Sequence, residues 1–347
     1  MPDQAITKSQ RAIHFGALAT LAATFFLLCT GGIVTSKGVG MAVPDWPTTY
    51  GYNMFLFPVS QWVGGIFYEH SHRLVASGVG LMTMILAAGL LAYDRRPWVK
   101  WLGFAAFLGV CTQGLLGGLR VTLYKDELGI FHALLAQAFF CAIGILAVAT
   151  SPGFLRRTWD IFNPDRALRN LVAGTTALIF VQLGLGAAMR HEHAGLSIPD
   201  FPLAYGQWLP DTSPAAIEKI NAARTADNEV PTNALFIWVQ MAHRGVAVVI
   251  LAAVAAVWYR AATRSRLRTT KAWSSAWLSL VLAQAGLGAW TIWSNKAADV
   301  ATAHMALGAI LLLLGTLFSF RLFRATESGR FIVPEPGLAP ALAAHTA

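Results

Sequence analysis

The sequence predicts an all-α polytopic membrane protein whose eight transmembrane helices form two tandem four-helix bundles. Three observations predict it: an apolar composition, eight long apolar runs and an internal repeat. Of the 347 residues, 56% are hydrophobic and only 12% are charged, and the mean hydropathy is +0.54. Because a soluble domain carries about 25% charged residues, the composition excludes a disordered chain, a nucleic-acid-binding module and an ordinary cytosolic enzyme, despite a net charge of +9.

Each apolar run is long enough to cross a bilayer as one helix, since a core of about 30 Å needs about 20 residues. Helices are expected rather than barrel strands, because the runs lack the alternation of apolar and polar residues that membrane strands show. The predicted spans are 14–35, 67–92, 98–119, 128–150, 168–189, 234–259, 272–294 and 298–320.

The basic residues orient these spans. With the amino terminus inside, the inner segments hold more than twice as many Lys and Arg residues as the outer loops, which is the bias of cytoplasmic segments. The polar stretch before the first span is too short for a cleaved signal peptide. We therefore expect a multi-pass protein of the bacterial cytoplasmic (inner) membrane, surrounded by lipid, with both termini cytoplasmic.

An internal repeat divides the chain into two halves. The motif PDWPTTYG at 44–51 returns as PDFPLAYG at 199–206, an offset of 155. After this motif the offset is 171, so the second outer loop is longer, and a short amphipathic helix is expected within its polar stretch 211–232. The offset of 155 also relates two glycine pairs, Gly31 with Gly186 and Gly40 with Gly195.

Four spans per half give both halves the same orientation, so a pseudo-twofold axis along the membrane normal is expected. The predicted domains are an N-terminal half at 1–160, a C-terminal half at 161–325 and a disordered cytoplasmic tail at 326–347. The repeated PD-[WF]-P motif indicates either a rigid structural turn or a cap over a feature common to both halves.

One histidine lies near the outer end of each even-numbered span, at equivalent positions of the two halves. An ionisable side chain within a membrane is costly and is therefore a functional candidate, although any single one is as often a hydrogen-bonding core residue. Two histidines per half are too few for zinc, which takes three or four protein ligands, but they suit the two axial positions of haem iron. These residues are His72, His132, His243 and His304.

Small and basic residues beside the histidines favour the same interpretation. Glycines let helices approach a flat macrocycle, although ordinary packing of membrane helices explains any one of them equally well. Arg73 and Arg244, each directly after a histidine, are candidates for contacts with haem propionates or with lipid phosphate. The glycines are Gly114, Gly117, Gly118, Gly286 and Gly288.

The two halves differ in one acidic residue. Glu69 precedes His72 by about one helical turn, so both side chains can face one cavity, whereas the second half has Gln240 at this position. A carboxylate there can move protons or hold a cationic intermediate during an oxidation. The alternative is a salt bridge with Arg73 or a solvated helix end. Two further features are treated as secondary, His70 and the HEH run at 191–193. The HEH run is expected to be a solvated loop cluster or an adventitious metal site.

Four motifs in this order carry a resemblance to a known family. They are ExxHR at 69–73, FHALLAQ around His132, QMAHRG around His243 and TAHMALGA around His304. Together they resemble the haem A synthase family (CtaA/Cox15 type) over essentially all eight spans. The chain departs from some members of that family because its outer loops lack a cysteine pair, which excludes a disulfide within those loops.

The resemblance implies an oxidoreductase that converts the C8 methyl group of haem O into a formyl group, giving haem A for terminal oxidases. It implies that His72 and His132 are axial ligands of the substrate haem, with Glu69 as the catalytic residue beside them. It further implies that His243 and His304 hold a resident haem b as cofactor. Haem O is then the substrate, and a haem O synthase and oxidase assembly factors are the expected partners.

Two other functions stay open. A dihaem cytochrome b-type electron carrier would explain the paired histidines equally well, but it would not explain the difference between Glu69 and Gln240. A haem or small-molecule transporter would use the interface between the repeats. Such a transporter is expected to have broken helices and polar groups near the membrane centre, whereas the polar groups here cluster at the outer span ends.

Overall fold

The computed structural model describes residues 6–155 and 165–327, and this part of the chain is all-helical. It contains eight helices long and apolar enough to cross a membrane. Each helix covers one predicted span, except that two helices end one residue before the predicted end. This agreement confirms the predicted fold class, and the protein is a multi-pass membrane protein. The spanning helices are α1 Lys8–Ser36, α2 Gly64–Tyr93, α3 Pro97–Thr122, α4 Glu127–Ala149, α5 Arg166–His191, α6 Ala234–Arg264, α7 Arg268–Trp293 and α8 Ala298–Glu327.

Polar residues cap the starts of several helices, and two of these helices, α1 and α5, begin before their apolar runs. The Thr7 side chain accepts a hydrogen bond from the Gln10 N–H, and the Gln10 side chain accepts one from the Thr7 N–H, so α1 begins at Lys8. Such a capping box satisfies two backbone donors at the helix start. Asp165 and Asn233 each cap the next helix, α5 and α6, through one side-chain oxygen.

Within each half, the four helices form a closed ring in which chain neighbours pack together and the last helix packs on the first. Helices α1–α4 enclose a core that includes Leu90 and Ile143, both fully buried. Helices α5–α8 enclose a second core around Trp277 and Phe318. The described part of the chain therefore has one packed centre in each half.

The halves contact each other mainly through α1, α4, α5 and α8. Helix α1 packs against α8, α4 against α5, and α4 against α8. A twofold rotation that exchanges the halves converts the first contact into the second and leaves the third unchanged, so the packing supports the predicted pseudo-twofold relation. The domain boundaries stay a prediction, because residues 156–164 and 328–347, which include the first boundary and almost all of the predicted tail, lie outside the described residues.

The two long loops, 37–63 and 192–233, lie at one end of the bundle, which we call the loop face. The second loop contains the helix Pro214–Ala226, and so confirms the short helix expected in its polar stretch. Ile217 and Ile220 of this helix pack on the small buried core of the second loop. The loops are thus folded segments, and they stand directly above the helix ends that carry the candidate site.

Candidate functional site

The four predicted histidines lie within the first three turns of α2, α4, α6 and α8, at the loop face. The rings of His243 and His304 face each other with centroids 6.5 Å apart and planes at 60°. Two metal–imidazole bonds of about 2 Å each, plus half a ring on either side, span a centroid separation of this size. The second pair therefore fits one metal ion between its imidazoles.

Each of these imidazoles packs against a glycine of the preceding spanning helix. A Cβ atom added to that glycine would lie 2.9 Å from Cε1 of His72, 3.3 Å from that of His132, 3.3 Å from that of His243 and 3.1 Å from that of His304. Both halves use the same two helix positions for this contact, so the close approach is part of the repeat. The glycines are Gly31, Gly117, Gly186 and Gly288.

Two of the five glycines predicted beside a macrocycle, Gly117 and Gly288, thus contact a histidine. The other three do not. A Cβ atom would meet open space at two of them and the Trp46 indole at the third, and these are Gly114, Gly286 and Gly118 respectively.

Hydrogen bonds fix the histidine backbones but leave most of the rings without partners. Three histidine carbonyls each accept a bond of 2.9 Å from a glutamine amide: Gln113 to His132, Gln182 to His243 and Gln284 to His304. The Nδ1 atoms of the same three rings are buried and have no hydrogen-bond partner among the described residues. In contrast, Nδ1 of His72 lies 3.0 Å from the Thr30 hydroxyl. Because a buried nitrogen without a partner is costly, the rings fit a ligand that the protein itself does not supply.

The Glu69 carboxylate is buried at the loop face and bonded through both oxygens. Its residue is 4% exposed; Oε2 accepts a bond of 2.8 Å from the Val43 N–H, and Oε1 accepts one of 2.8 Å from Arg73 Nη2. Of the alternatives left open by the sequence, the salt bridge with Arg73 is therefore present, and the solvated helix end is absent at this residue.

Gln240 makes the corresponding contact to the loop N–H in the second half without a charge. It is 2% exposed, its Oε1 accepts a bond of 2.8 Å from the Ile198 N–H, and its Nε2 donates to the Ile198 carbonyl at 3.1 Å. Ile198 is the counterpart of Val43 at the offset of 155. The two halves thus hold the same loop position, one with a carboxylate and one with an amide.

The two predicted arginines bind the same loops. Arg73 donates to the carbonyls of Val43 at 2.8 Å and of Asp45 at 2.6 Å. Arg244 donates to the carbonyls of its own loop, Asp200 at 2.7 Å and Leu203 at 2.8 Å. We call Glu69 with Arg73 the first clasp, and Gln240 with Arg244 the second clasp. The predicted propionate contacts of both arginines stay a prediction.

The repeated motif folds the first loop around its aspartate. Asp45 accepts hydrogen bonds from the Tyr50 and Gly51 N–H groups and from the Thr48 hydroxyl. Burial raises the pKa of the Asp45 carboxyl, but these hydrogen bonds outweigh burial and hold its pKa below the ordinary value.

The second loop repeats this fold with one donor fewer. Asp200 accepts from the Tyr205 N–H at 2.7 Å and from the Gly206 N–H at 2.8 Å. Leu203 stands where the first loop has Thr48, so no hydroxyl reaches the carboxylate from that position. The PD-[WF]-P motif is therefore a structural turn in both halves, tied by its clasp to a histidine-bearing helix.

Two histidines that the sequence makes secondary are buried. His70 is fully buried, lies 3.2 Å from the Thr49 hydroxyl and packs on Trp62. The expectation of a solvated loop cluster is wrong for His191, which ends α5 and packs so closely on Gly129 of α4 that an added Cβ would clash with its ring. Among the residues that the structure describes, no three His, Cys, Asp or Glu side chains group as a metal site.

A family model described as cytochrome oxidase assembly protein, COX15-CtaA, matches residues 15–316. The chain belongs to this family. A protein named heme A synthase from Geobacillus kaustophilus (strain HTA426) is 28% identical over 307 residues, 85% of this chain and 86% of its own length. One of the same name from Nitrosomonas eutropha (strain DSM 101675 / C91 / Nm57) is 25% identical over 356 residues, 91% and 94% of the two chains.

Several residues of this COX15-CtaA site were missed by sequence reasoning. The glycines of α1 and α5 had a signal, their equivalence at the offset of 155, but nothing in the sequence placed an imidazole against them. Thr30 beside His72 and Gln182 on the His243 carbonyl had no sequence signal, because leucines stand at their repeat-equivalent positions. The missed residues are Gly31, Gly186, Thr30 and Gln182.

Proposed function

We propose that this member of the COX15-CtaA family is a haem A synthase, an oxidoreductase that converts the C8 methyl group of haem O into a formyl group and so makes haem A for terminal oxidases. One observation carries the proposal. Two equivalent histidine pairs share one architecture, and only the first has a buried carboxylate, Glu69, at its loop face. The relatives named heme A synthase support the same conclusion.

The proposal assigns one haem to each pair. His243 and His304 are the axial ligands of a resident haem b, and His72 and His132 those of the substrate haem. The ring separation of 6.5 Å in the second pair and the glycine contacts of all four rings support these assignments. Bound haem iron supplies the oxidising chemistry that an unactivated methyl group requires and that side chains lack.

Glu69 is the proposed catalytic residue of the first site. The Val43 N–H and the Arg73 guanidinium hold its carboxylate in one orientation, so its negative charge is fixed before the substrate arrives. A fixed charge of this kind stabilises positive charge that develops on a substrate carbon during oxidation. Gln240 occupies the same place without a charge, which is what a site that only carries electrons requires.

The membrane orientation and the partners complete the proposal. The excess of Lys and Arg on the side of the termini supports cytoplasmic termini in a bacterial inner membrane, with the loop face outside. A haem O synthase would then deliver the substrate, and oxidase assembly factors would receive the product. Arg73 and Arg244 are proposed to approach haem propionates from the clasps.

One experiment tests the function directly. The full chain is expressed with and without a source of haem O, and the extracted haems are separated by chromatography. Conversion of haem O to its alcohol or aldehyde is expected only when the chain is present. If haem O is never converted and only haem b is found, the synthase proposal is wrong.

The same experiment distinguishes haem A synthase from the main alternative function, a dihaem electron carrier. The equivalence of the two pairs also favours a dihaem electron carrier, in which haem is a cofactor at both sites and is never altered. In that case the protein would copurify with unmodified haem b at both pairs, whether or not haem O is supplied.

A further inference from the structure

Three basic side chains outside the proposed sites lie together at the loop face, between the two halves. They are Arg120 in the last turn of α3, Arg190 in the last turn of α5 and Lys296 in the turn after α7. We call these three residues the basic trio. Arg120 pairs with Asp126, three residues before the Gly129 that packs on His191, and Arg190 directly precedes His191. The Lys296 side chain packs beside Gly195, four residues after His191. The trio therefore forms one continuous positive region.

This positive region contains too little negative charge to balance it. Arg120 pairs with Asp126 at 3.0 Å, but that carboxylate is 45% exposed, and the Arg120 Nε is buried without a partner among the described residues. Arg190 donates hydrogen bonds from Nη2 to the Gly32 carbonyl and to the Ser36 hydroxyl, and neither of these acceptors is a carboxylate.

Lys296 is the least compensated member of the trio. Within the described part of the chain it has no ion pair, and its burial together with the charge of Arg190 lowers the pKa of its ammonium group. Since unpaired charge at a partly buried position is costly, binding of an anion would stabilise the trio.

Both halves place a cation at the same point, although different residues supply it. A Cβ atom on Gly40 would lie 2.8 Å from Arg120 Nη1, and one on Gly195, its repeat counterpart, would lie 3.6 Å from Lys296 Cδ. At the offset of 171, however, Arg120 corresponds to Thr291. The repeat thus retains the position of the charge and not the residue.

The basic trio also reaches the histidine pairs. Arg120 follows Gly117, the glycine that packs on His132, by about one helical turn. Arg190 donates to the carbonyl of Gly32, and a Cβ atom on Gly32 would contact Thr302 and Met305, close neighbours of His304. Each pair therefore has its own cation at the loop face, on the side where an amphipathic ligand turns its charged edge toward water.

We infer that the basic trio binds one propionate carboxylate of each haem, next to the one proposed for the clasp arginine, with Arg120 at the first pair and Arg190 with Lys296 at the second. This inference rests on the proposed function. The clasp arginines already donate to loop carbonyls, whereas the trio retains donors without carboxylate partners. The carboxylate edge of each haem thus faces the boundary between the halves.

The second site is tested with haem b and its dimethyl ester, which differ only in carboxylate charge. Full-length protein from a haem-deficient host is titrated with each in detergent and followed by bis-imidazole absorbance. The wild type is expected to bind the free acid at least about tenfold more tightly than the ester, the effect of one charge-assisted hydrogen bond. Lys296→Met is expected to lose most of this preference while binding the ester as the wild type does, which also shows that it folds.

Lys219→Met, on the exposed loop helix, is the matched control and keeps the preference. Equal affinity of the wild type for acid and ester, with normal bis-imidazole absorbance, overturns the inference and leaves the proposed function intact. Absence of any absorbance that depends on His243 and His304 overturns the proposed function itself.

The first site is tested with haem O and its dimethyl ester in a His243→Ala/His304→Ala background. Arg120→Met is expected to reduce the preference for the free acid about tenfold or more, and Lys125→Met, an exposed neighbour, is expected to leave it unchanged. An unchanged preference in Arg120→Met contradicts the role of Arg120.

Discussion

The two halves of this protein hold their loops at the same backbone position with different chemistry. Glu69 accepts from the Val43 N–H, and Gln240 accepts from the counterpart Ile198 N–H, both at 2.8 Å. A carboxylate and an amide are nearly the same size, so the loop, the helix and the histidine can stay in place when one replaces the other. At this loop position the two halves therefore differ by one negative charge and not by the contact that holds the loop.

A second difference concerns how firmly each pair is fixed. In the second half both histidine carbonyls accept a glutamine amide, from Gln182 and Gln284. In the first half only His132 has such a bond, and His72 is held through its ring by Thr30. A pair anchored at both backbones suits a resident cofactor, and a pair anchored at one suits a ligand that must enter and leave.

The largest expected effect separates the two pairs. His243→Ala or His304→Ala is expected to abolish the bis-imidazole absorbance of the purified protein, because each removes a proposed axial ligand of the proposed resident haem. His72→Ala and His132→Ala are expected to keep that absorbance and to lose conversion of haem O. His193→Ala, an exposed loop residue, serves as control. Retention of the resident haem in either of the first two variants would break the assignment.

The next effect isolates the charge of the first clasp. Glu69→Gln is expected to keep the bond to the Val43 N–H, as Gln240 does for Ile198, and to keep the resident haem. Conversion of haem O is expected to fall by about a hundredfold or more, the typical cost of removing a preorganised electrostatic group. Turnover is measured by chromatography of extracted haems, and resident haem by absorbance.

Two further variants sharpen this result. Glu69→Ala removes both the charge and the loop bond and is expected to abolish conversion while the resident haem remains bound at His243 and His304. Gln240→Glu gives the second clasp a charge beside Arg244 and is expected to leave conversion unchanged. Full turnover in Glu69→Gln would show that Glu69 acts only through its loop bond.

A smaller effect tests the close approach of glycines to the rings. A Cβ atom at residue 288 would lie 3.1 Å from His304 Cε1, so Gly288→Ala is expected to displace that ring and weaken resident haem binding. Overpacking of this kind costs about 1–3 kcal/mol, or roughly 5- to 150-fold in affinity. Gly286→Ala, two residues before the contact and facing open space, is the matched control. Equal haem affinity in the two variants would contradict the role of the glycine.

The sequence predicts the scaffold of both sites and little of their internal contacts. Hydropathy and the repeat predict all eight helices, and equivalence in the repeat predicts the four histidines. The salt bridge between Glu69 and Arg73 was one of the predicted alternatives. The loop bonds of the clasps were not predictable, because a bond between Glu69 and Val43 depends on where a long loop returns to the bundle. His191 was placed in a solvated loop because its neighbours in sequence are polar, whereas its burial is decided by Gly129 on another helix.

The smallest expected effect concerns the two aspartate turns, which differ by one hydroxyl donor. Thr48→Leu makes the first turn like the second, where Leu203 stands at this position, and removes a bond to the Asp45 carboxylate. A bond to a charged group contributes about 1.5–3 kcal/mol when buried, and the exposed edge of this turn reduces the loss to about 1 kcal/mol. Hydrogen exchange at the Tyr50 and Gly51 amides is expected to accelerate accordingly at pH 7.

The pH dependence of this effect follows from the lowered pKa of Asp45. A carboxyl whose pKa is lower in the folded turn than in the open chain stabilises the turn above about pH 4, and this contribution is lost as pH falls through the folded pKa. The difference in exchange between wild type and Thr48→Leu, corrected for intrinsic rates, is therefore expected to be full at pH 7 and to shrink below about pH 4. A difference that persists at low pH would assign the effect to packing of the leucine. In that case the hydroxyl bond would not be what distinguishes the two turns.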